Sequence, residues 1–309
     1  MTLPWTLAHL VTLLASPILV VGVINRTRAR WSGRKGPPLA QTFHDLRRLL
    51  RKRPVYSETT TAVFWVAPYV VLATSAVSGL IVPMLGVASP LSFPFDFVFF
   101  AYLWAAGRMA LMLGALDTGS AFEAMGASRE ATFSALVEPA MFLSLGTLGS
   151  MAGASSFSQM LTFHGADPAV IVVRVGCTIA MTVLLQVESA RMPVDDPTTH
   201  LELTMVHEVM ILDHSGPDLA AMEYAAGLKL SIGCALLASL INPFGAGSPR
   251  LLVAAANLAL MLVIAVLVGT TESTIARLRL SAVPRYLLAA FFGAVLALLA
   301  SIWRTGGAL

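Results

Sequence analysis

The sequence predicts an all-α membrane protein: a bundle of eight transmembrane helices with an interfacial amphipathic helix and a long acidic cytoplasmic loop. Of its 309 residues, 57% are hydrophobic and 12% are charged, whereas soluble domains carry about 25% charged residues. Several apolar runs reach or approach the roughly 20 residues that a helix needs to cross a bilayer. The eight runs lie near residues 3–25, 62–85, 96–116, 132–153, 168–187, 224–242, 251–270 and 284–303.

The segments between these runs are too short to form a soluble domain. The two longest, 26–61 and 188–223, fall below the roughly 40 residues under which a domain usually needs additional cross-links. We therefore predict one integral-membrane domain over residues 1–309. The first run has no basic residue before it and no cleavage-site pattern after it, which predicts a retained helix rather than a signal peptide.

The positive charges predict the orientation, because cytoplasmic loops hold the excess of Lys and Arg. Ten of the 20 lie between Arg26 and Arg53. The first loop is therefore predicted to be cytoplasmic, and with eight spans both termini lie outside. The predicted outer segments hold only Arg250 and Arg304.

One part of this first loop has the pattern of an amphipathic helix. Leu39, Phe43, Leu46 and Leu50 recur at spacings of four, three and four, with polar residues between them. This pattern predicts a helix at the membrane interface. The basic excess is concentrated in one juxtamembrane segment, which favours lipid headgroups and not nucleic acid as the partner.

The sequence offers no catalytic centre. Cys177 and Cys234 stand alone inside predicted spans, and no C-x-x-C occurs. In "HEVMILDH" the second His follows the first by seven positions, whereas the zinc clamp H-E-x-x-H needs four. We expect no catalytic residue, metal or cofactor on this chain.

Ionisable residues inside or at the ends of spans are the main functional candidates, since each costs about 2.5–3.5 kcal/mol near a helix centre. Pro139 follows one of them and leaves the carbonyl of Ala135 without its usual partner, so water is expected there. The residues either form structural ion pairs or line a wet polar path. They are Arg108, Asp117, Glu138, Arg174 and Glu188.

The segment 188–223 combines many carboxylates with a regular histidine spacing. Pro193 is predicted to end the preceding helix, and the turn residues at Asp196, Pro197 and Gly216 predict a helix over 197–214. His200, His207 and His214 recur every seven residues. Their spacing favours the wet face of an amphipathic helix, and a proton relay is the alternative.

Several motifs carry a resemblance that covers essentially the full length of the protein. "VESARMPVDDP" is similar to an E-x-x-R-x-P-x-D signature, and "NRTRARWSGRKGP", "LDTGSAFEAMGASREATFSALVEP", "MEY" and "ESTIARLRLSAVPR" resemble further family segments. The protein resembles the heel subunit shared by respiratory complex I, where it is the H-type subunit, and group 4 membrane-bound nickel–iron hydrogenases, which include the formate hydrogenlyase and hydrogenase-4 types. The residues that follow the signature, and the missing glycine-containing stretch after Pro37, favour the hydrogenase branch.

The resemblance implies a non-catalytic subunit in a bacterial or archaeal cytoplasmic membrane, which docks a soluble redox arm and couples electron transfer to proton or cation translocation. It implies a nickel–iron centre and iron–sulfur clusters in large and small partner subunits on the cytoplasmic face, and antiporter-like membrane neighbours. The alternative is the quinone-chamber subunit of a complex I-type NADH–quinone oxidoreductase. The electron donor, the ion and its direction, the binding of quinone and the subunit composition stay open.

Three sets of residues follow from this interpretation. The expected coupling carboxylates are Asp117, Glu138, Glu188, Asp195, Glu202, Glu208 and Glu223. The expected charge partners are Arg108, Arg129, Arg174 and Arg191. The expected docking residues are Arg26, Arg28, Arg30, Arg34 and Lys35.

Overall fold

The computed structural model describes residues 2–163, 165, 167–195, 205–245 and 247–306, without the side chains of 305 and 306. Eight helices in this part are long and apolar enough to cross a membrane, and it contains no β-strand. The prediction of an all-α membrane protein with eight spans is confirmed. The helices in chain order are α1 Leu3–Trp31, α2 Gln41–Leu50, α3 Ala62–Ile81, α4 Asp96–Asp117, α5 Ala121–Ala152, α6 Phe157–Thr162, α7 Pro168–Glu188, α8 His207–Met210, α9 Gly216–Ile241, α10 Arg250–Thr274 and α11 Val283–Gly306.

Capping residues and prolines define several helix starts. The Thr61 hydroxyl accepts a hydrogen bond from the Val63 N–H at the start of α3, and the Asp167 carboxylate accepts one from the Ala169 N–H at the start of α7. Pro168 occupies the first turn of α7, where the missing N–H costs nothing.

Helices α5 and α9 begin at Ala121 and Gly216, earlier than the predicted 132 and 224. Their first turns carry Glu123 and Asp218, both buried inside the protein. Because apolar runs exclude charged residues, the sequence placed the starts of these two helices too late. The predicted number of spans is unaffected.

Helix α9 lies at the centre of the bundle and is the most buried of the eight long helices. It packs against α1, α3, α7 and α10. Helices α7 and α11 approach each other closely at Gly176 and Gly293: a Cβ atom on Gly176 would lie 2.7 Å from the Gly293 carbonyl oxygen. Small residues of this kind let membrane helices pack backbone against backbone.

A helix is present where the amphipathic pattern was found. Leu46 and Leu49 of α2 are buried and pack with Ala220 of α9. Phe43 and Leu50, on the same apolar face as Leu46, are exposed. The position of α2 at a membrane interface stays a prediction.

The acid-rich segment differs from its prediction. Helix α7 ends at Glu188, before Pro193, and within 205–214 only His207–Met210 is helical. His214 is not on a wet face: it is buried, and its ring stacks on Phe64 with centroids 3.9 Å apart. The predicted helix over 197–204, with His200, lies outside the described residues.

Helix α8 lies directly on α5, and Gly126 permits this approach. A Cβ atom at Gly126 would lie 2.4 Å from Val209 Cγ1 and 3.0 Å from the Val206 carbonyl oxygen. The absence of a side chain therefore brings the segment around His207 onto the helix that carries Glu130 and Glu138.

Candidate functional site

Four charged side chains from four membrane-spanning helices meet in the bundle and form what we call the central charge cluster: Arg108, Glu138, Glu188 and Lys229. The Arg108 guanidinium donates to both the Glu188 and the Glu138 carboxylates. Lys229 Nζ lies 3.1 Å from the second oxygen of Glu188. Glu188 thus lies between two cations, and its side chain is 2% exposed, whereas that of Glu138 is 40% exposed.

A small cavity adjoins this cluster. Its volume is about 30 Å³, which leaves room for about two water molecules. Glu130 and His207 line it beside Arg108, Glu188 and Lys229. A buried water molecule needs two to four polar partners, and the charged side chains that line the cavity can supply them.

A second group, the loop charge cluster, is formed by Arg28, Arg191, Asp195, Glu272 and Arg277. Asp195 pairs with Arg277 at 2.9 Å. The buried Glu272 carboxylate lies 3.3 Å from Arg191 and 3.4 Å from Arg28. These contacts tie the segment after α7 to α1, to the end of α10 and to the segment after it.

His207 belongs to the surroundings of both clusters. Its backbone N–H, like that of Val206, donates to Asp195 Oδ2 at 3.0 Å. Its side chain lines the cavity of the central charge cluster, and its Nε2 atom is buried without a hydrogen-bond partner among the described residues. Burial, with Lys229 and Arg191 acting in the same direction, lowers the pKa of His207 to about 4, so the imidazole is neutral at pH 7.

Glu208 is the neighbouring carboxylate on α8. Burial is the main cause that raises the pKa of Glu208 to about 7, and the negative charges of Glu223 and Asp195 add to it. The carboxyl group is therefore half protonated near neutral pH. Glu223 itself is exposed and lies within electrostatic reach of Asp45 and Arg48 on α2.

Some predicted residues lie away from the two clusters. Asp117 caps α3, because its carboxylate accepts from the Thr61 N–H at 2.6 Å and the Thr61 hydroxyl at 2.8 Å. Arg174, expected as a charge partner, donates to the backbone carbonyls of Leu240 and Asn242 at the end of α9. Its ion pair with a carboxylate is not found in the described part of the protein, where the guanidinium satisfies terminal helix carbonyls instead.

Arg129 donates to the Met205 carbonyl oxygen at 2.8 Å and so holds the segment before α8 on α5. Glu202 lies outside the described residues. Among the predicted docking residues, Arg30, Arg34 and Lys35 are exposed, Arg26 is half-buried, and Arg28 belongs to the loop charge cluster.

Sequence reasoning missed several members of these groups. Lys229 is a lone cation in the apolar run that became α9, and that position should have marked it as a functional or paired residue. Glu130 and Glu272 lie at the edges of apolar runs, so the sequence indicated a functional role for them less strongly. The two tyrosines Tyr56 and Tyr69 donate to the buried Asp218 at 2.8 and 2.9 Å, a contact between distant segments that no local pattern indicates.

A search of the described residues finds no group of three or more His, Cys, Asp or Glu side chains able to hold a metal ion. That the protein carries no metal stays a prediction.

Fold and site together define a multi-pass membrane protein whose spans and connecting segments are joined by buried ion pairs. The family model described as NADH dehydrogenase matches residues 5–303, and the chain belongs to this family. It is 31% identical to hydrogenase-4 component C of Escherichia coli (strain K12) over 98% of this chain and 96% of the relative. It is also 31% identical to formate hydrogenlyase subunit 4 of the same organism, over 96% of this chain and 98% of the relative.

A solved structure shares the fold. A subunit in the structure of the membrane-bound sulfane sulfur reductase, an archaeal respiratory membrane complex, superposes with a TM-score of 0.78. The alignment covers 95% of this chain and 98% of that one at 17% identity. This likeness supports the architecture alone.

Proposed function

We propose that this protein is the non-catalytic membrane subunit of a respiratory complex of the hydrogenase-4 or formate hydrogenlyase type. In this proposal it docks a soluble redox arm and couples electron transfer there to the movement of protons or cations. The identity to hydrogenase-4 component C and formate hydrogenlyase subunit 4 over nearly the full length supports the class of complex.

The position of His207 between the two clusters is the observation that carries the coupling proposal. Through its backbone N–H it contacts Asp195, and through its ring it adjoins the cavity beside Glu188 and Lys229. A change of charge at Asp195 would therefore act on His207, whose side chain lines the cavity of the central charge cluster. A buried charge acts more strongly on its neighbours than an exposed one, because less water screens it.

The protonation states of α8 suit this role. Neutral His207 offers a ring nitrogen with no other partner among the described residues, and Glu208 takes up or releases a proton near pH 7. Burial and like charges move the pKa of Glu208 towards neutrality, as is typical of proton-transfer sites, whereas His207 stays neutral at pH 7. In this proposal Glu138 and Glu188 receive the proton or respond to its charge, and Glu223 extends the path.

Docking would use the exposed basic residues at the end of α1 and in the turn after it. Arg30 lies in the last turn of α1, and Arg34 and Lys35 lie in the following turn, where Gly33 and Gly36 have φ values of 70° and 73°. Partner subunits on this side would bear the nickel–iron centre and the iron–sulfur clusters, and antiporter-like subunits would contact the protein within the membrane.

A second candidate function is the wall of a quinone chamber in a complex I-type oxidoreductase. The match to the NADH dehydrogenase family model favours it. The two candidates differ in the redox centres and the lipid-soluble acceptor that the intact complex contains.

The test is to purify the tagged protein from its native membranes and to measure nickel, iron and quinone in the product. We expect nickel and iron in the intact complex, reduction of a soluble dye by hydrogen, and no stoichiometric metal in the separated subunit. A complex with iron and stoichiometric quinone but no nickel would support the quinone chamber. Recovery of the subunit without any metal-bearing partner would contradict both.

A further inference from the structure

We propose that a groove between α1, α2, α3 and α9 is a binding site for one anionic phospholipid. The groove has a volume of about 670 Å³. It is named the α2 groove here, and its apolar lining includes Leu14, Phe43, Leu50, Leu72 and Tyr224. This site is independent of the proposed coupling function.

The apolar lining fits an acyl chain. Leu14, Phe43 and Leu50 are 62%, 49% and 63% exposed, so their side chains are not used to pack the bundle. The Tyr224 hydroxyl donates to the Leu14 carbonyl oxygen at 2.9 Å, and this bond joins α1 to α9 where both line the groove. Because α1, α3 and α9 have the length and composition of membrane spans, a lipid reaches the groove directly from the bilayer.

Two arginines define the headgroup end. Arg47 and Arg51 line the groove and stand four residues apart, on the face that carries Phe43 and Leu50. No carboxylate lines the groove, and neither arginine has an ion pair with a carboxylate in the part of the protein that the structure describes. Guanidinium groups bind phosphate through paired hydrogen bonds.

This combination favours an anionic lipid over other occupants. A neutral lipid or a quinone would leave both guanidinium groups without a counterion. An acidic peptide would satisfy the arginines but would have to bury its polar backbone against the apolar wall. A phosphatidylglycerol molecule offers a phosphate to the two arginines and acyl chains to the apolar lining.

The test uses the full-length protein in mild detergent with an equimolar mixture of phosphatidylglycerol and phosphatidylcholine that carry the same long acyl chains. Native mass spectrometry gives the ratio of the two lipids retained. We expect phosphatidylglycerol to dominate, and the double variant Arg47→Gln/Arg51→Gln to lower its excess by about fivefold for each arginine removed. Both arginines are exposed, so the variant is expected to fold.

The matched control is Arg48→Gln/Lys52→Gln, which removes two positive charges from the same segment outside the groove lining. It should keep the phosphatidylglycerol excess. Equal losses in both double variants, or no loss in either, would overturn the proposal, because they indicate unspecific attraction or another site.

A second probe tests the apolar part. Dihexanoyl phosphatidylglycerol has the same headgroup but short acyl chains, and it should be retained less than the long-chain lipid. Equal retention would overturn the acyl-chain assignment. Recovery of a quinone or a peptide that depends on Arg47 and Arg51, in place of phosphatidylglycerol, would overturn the choice of occupant.

Discussion

Arg108 of α4 and Glu188 of α7 form an ion pair inside the membrane bundle, and their side chains are only 3% and 2% exposed. Lys229 of α9 shares the same carboxylate. Removing one partner of such a buried pair leaves the other charge without compensation, which costs more than the pair gains. The central charge cluster therefore has a structural role as well as the proposed role in coupling.

The first prediction separates the two carboxylates bound by Arg108. Glu188→Gln leaves both Arg108 and Lys229 without that charge and should lower the free energy of unfolding by about 3–5 kcal/mol. Glu138→Gln should cost at most about 1 kcal/mol, because this carboxylate is 40% exposed and Arg108 keeps Glu188. Thermal unfolding in detergent measures the difference, and equal losses would contradict the cluster geometry.

The second prediction concerns the buried carboxylate of Asp218. Tyr56→Phe and Tyr69→Phe each remove one hydrogen bond to it and should each cost about 1–2 kcal/mol. Tyr102→Phe is the control, since Tyr102 is 64% exposed. Tyrosine variants that unfold at the same temperature as the control would show that these contacts contribute nothing.

The third prediction uses the pH dependence of stability. Burial lowers the pKa of His214 to about 4, so below its ordinary value of about 6.5 the unfolded protein binds a proton that the folded protein does not. The contribution of this residue to stability is complete above pH 6.5 and falls as the pH drops towards 4. Between pH 7.5 and 5.0 the loss is about 2 kcal/mol.

His214→Phe keeps a ring to stack on Phe64 and removes this titration. The variant should lose about 2 kcal/mol less than the unmodified protein between those two pH values. Unfolding temperatures measured at pH 7.5 and pH 5.0 give the comparison. An identical pH dependence in both proteins would show that His214 is not buried as described.

The fourth prediction is the orientation in the membrane. A cysteine at exposed Gly247, where an added Cβ meets no neighbour, should react with an impermeant maleimide on intact cells. A cysteine at exposed Ser57 should react only after permeabilisation. The native Cys177 and Cys234 are buried and give no background, and the reverse pattern would refute the orientation drawn from the arginines.

The sequence predicted the eight spans well because the cost of placing polar groups in lipid acts on every residue of a span. It failed where charged residues are buried by the protein itself, as at Glu123 in α5 and Asp218 in α9, since local composition does not report such contacts. Of the five residues predicted as one polar group, the structure brings Arg108, Glu138 and Glu188 together, whereas Asp117 and Arg174 lie elsewhere.

Other parts of the site depend on distant segments. The heptad spacing of His207 and His214 suggested one helix face, but His214 lies outside α8 and stacks on α3. Arg174 looked like a membrane ion-pair partner and instead caps α9, a role that requires the position of another helix. Arg28 looked like a docking residue, yet it forms an ion pair with Glu272, which is 244 positions away in the sequence.

The fifth prediction addresses the coupling proposal and rests on His207→Phe. The ring Nε2 has no hydrogen-bond partner among the described residues, and the backbone N–H that binds Asp195 is present in any residue other than proline. The variant should therefore assemble and keep its redox activity. His44→Phe, at an exposed position on α2, is the matched control.

The most direct test of the coupling proposal is the voltage generated per redox turnover by the assembled complex in proteoliposomes, with dye-linked turnover measured in the same preparation. For His207→Phe we predict dye-linked turnover within about twofold of the unmodified complex and a voltage lowered at least about tenfold, because the loss of a proton-transfer group slows that transfer by about 10²–10⁴-fold. His44→Phe should leave both unchanged. An undiminished voltage in assembled His207→Phe would contradict the proposal that this residue joins the two charge clusters functionally.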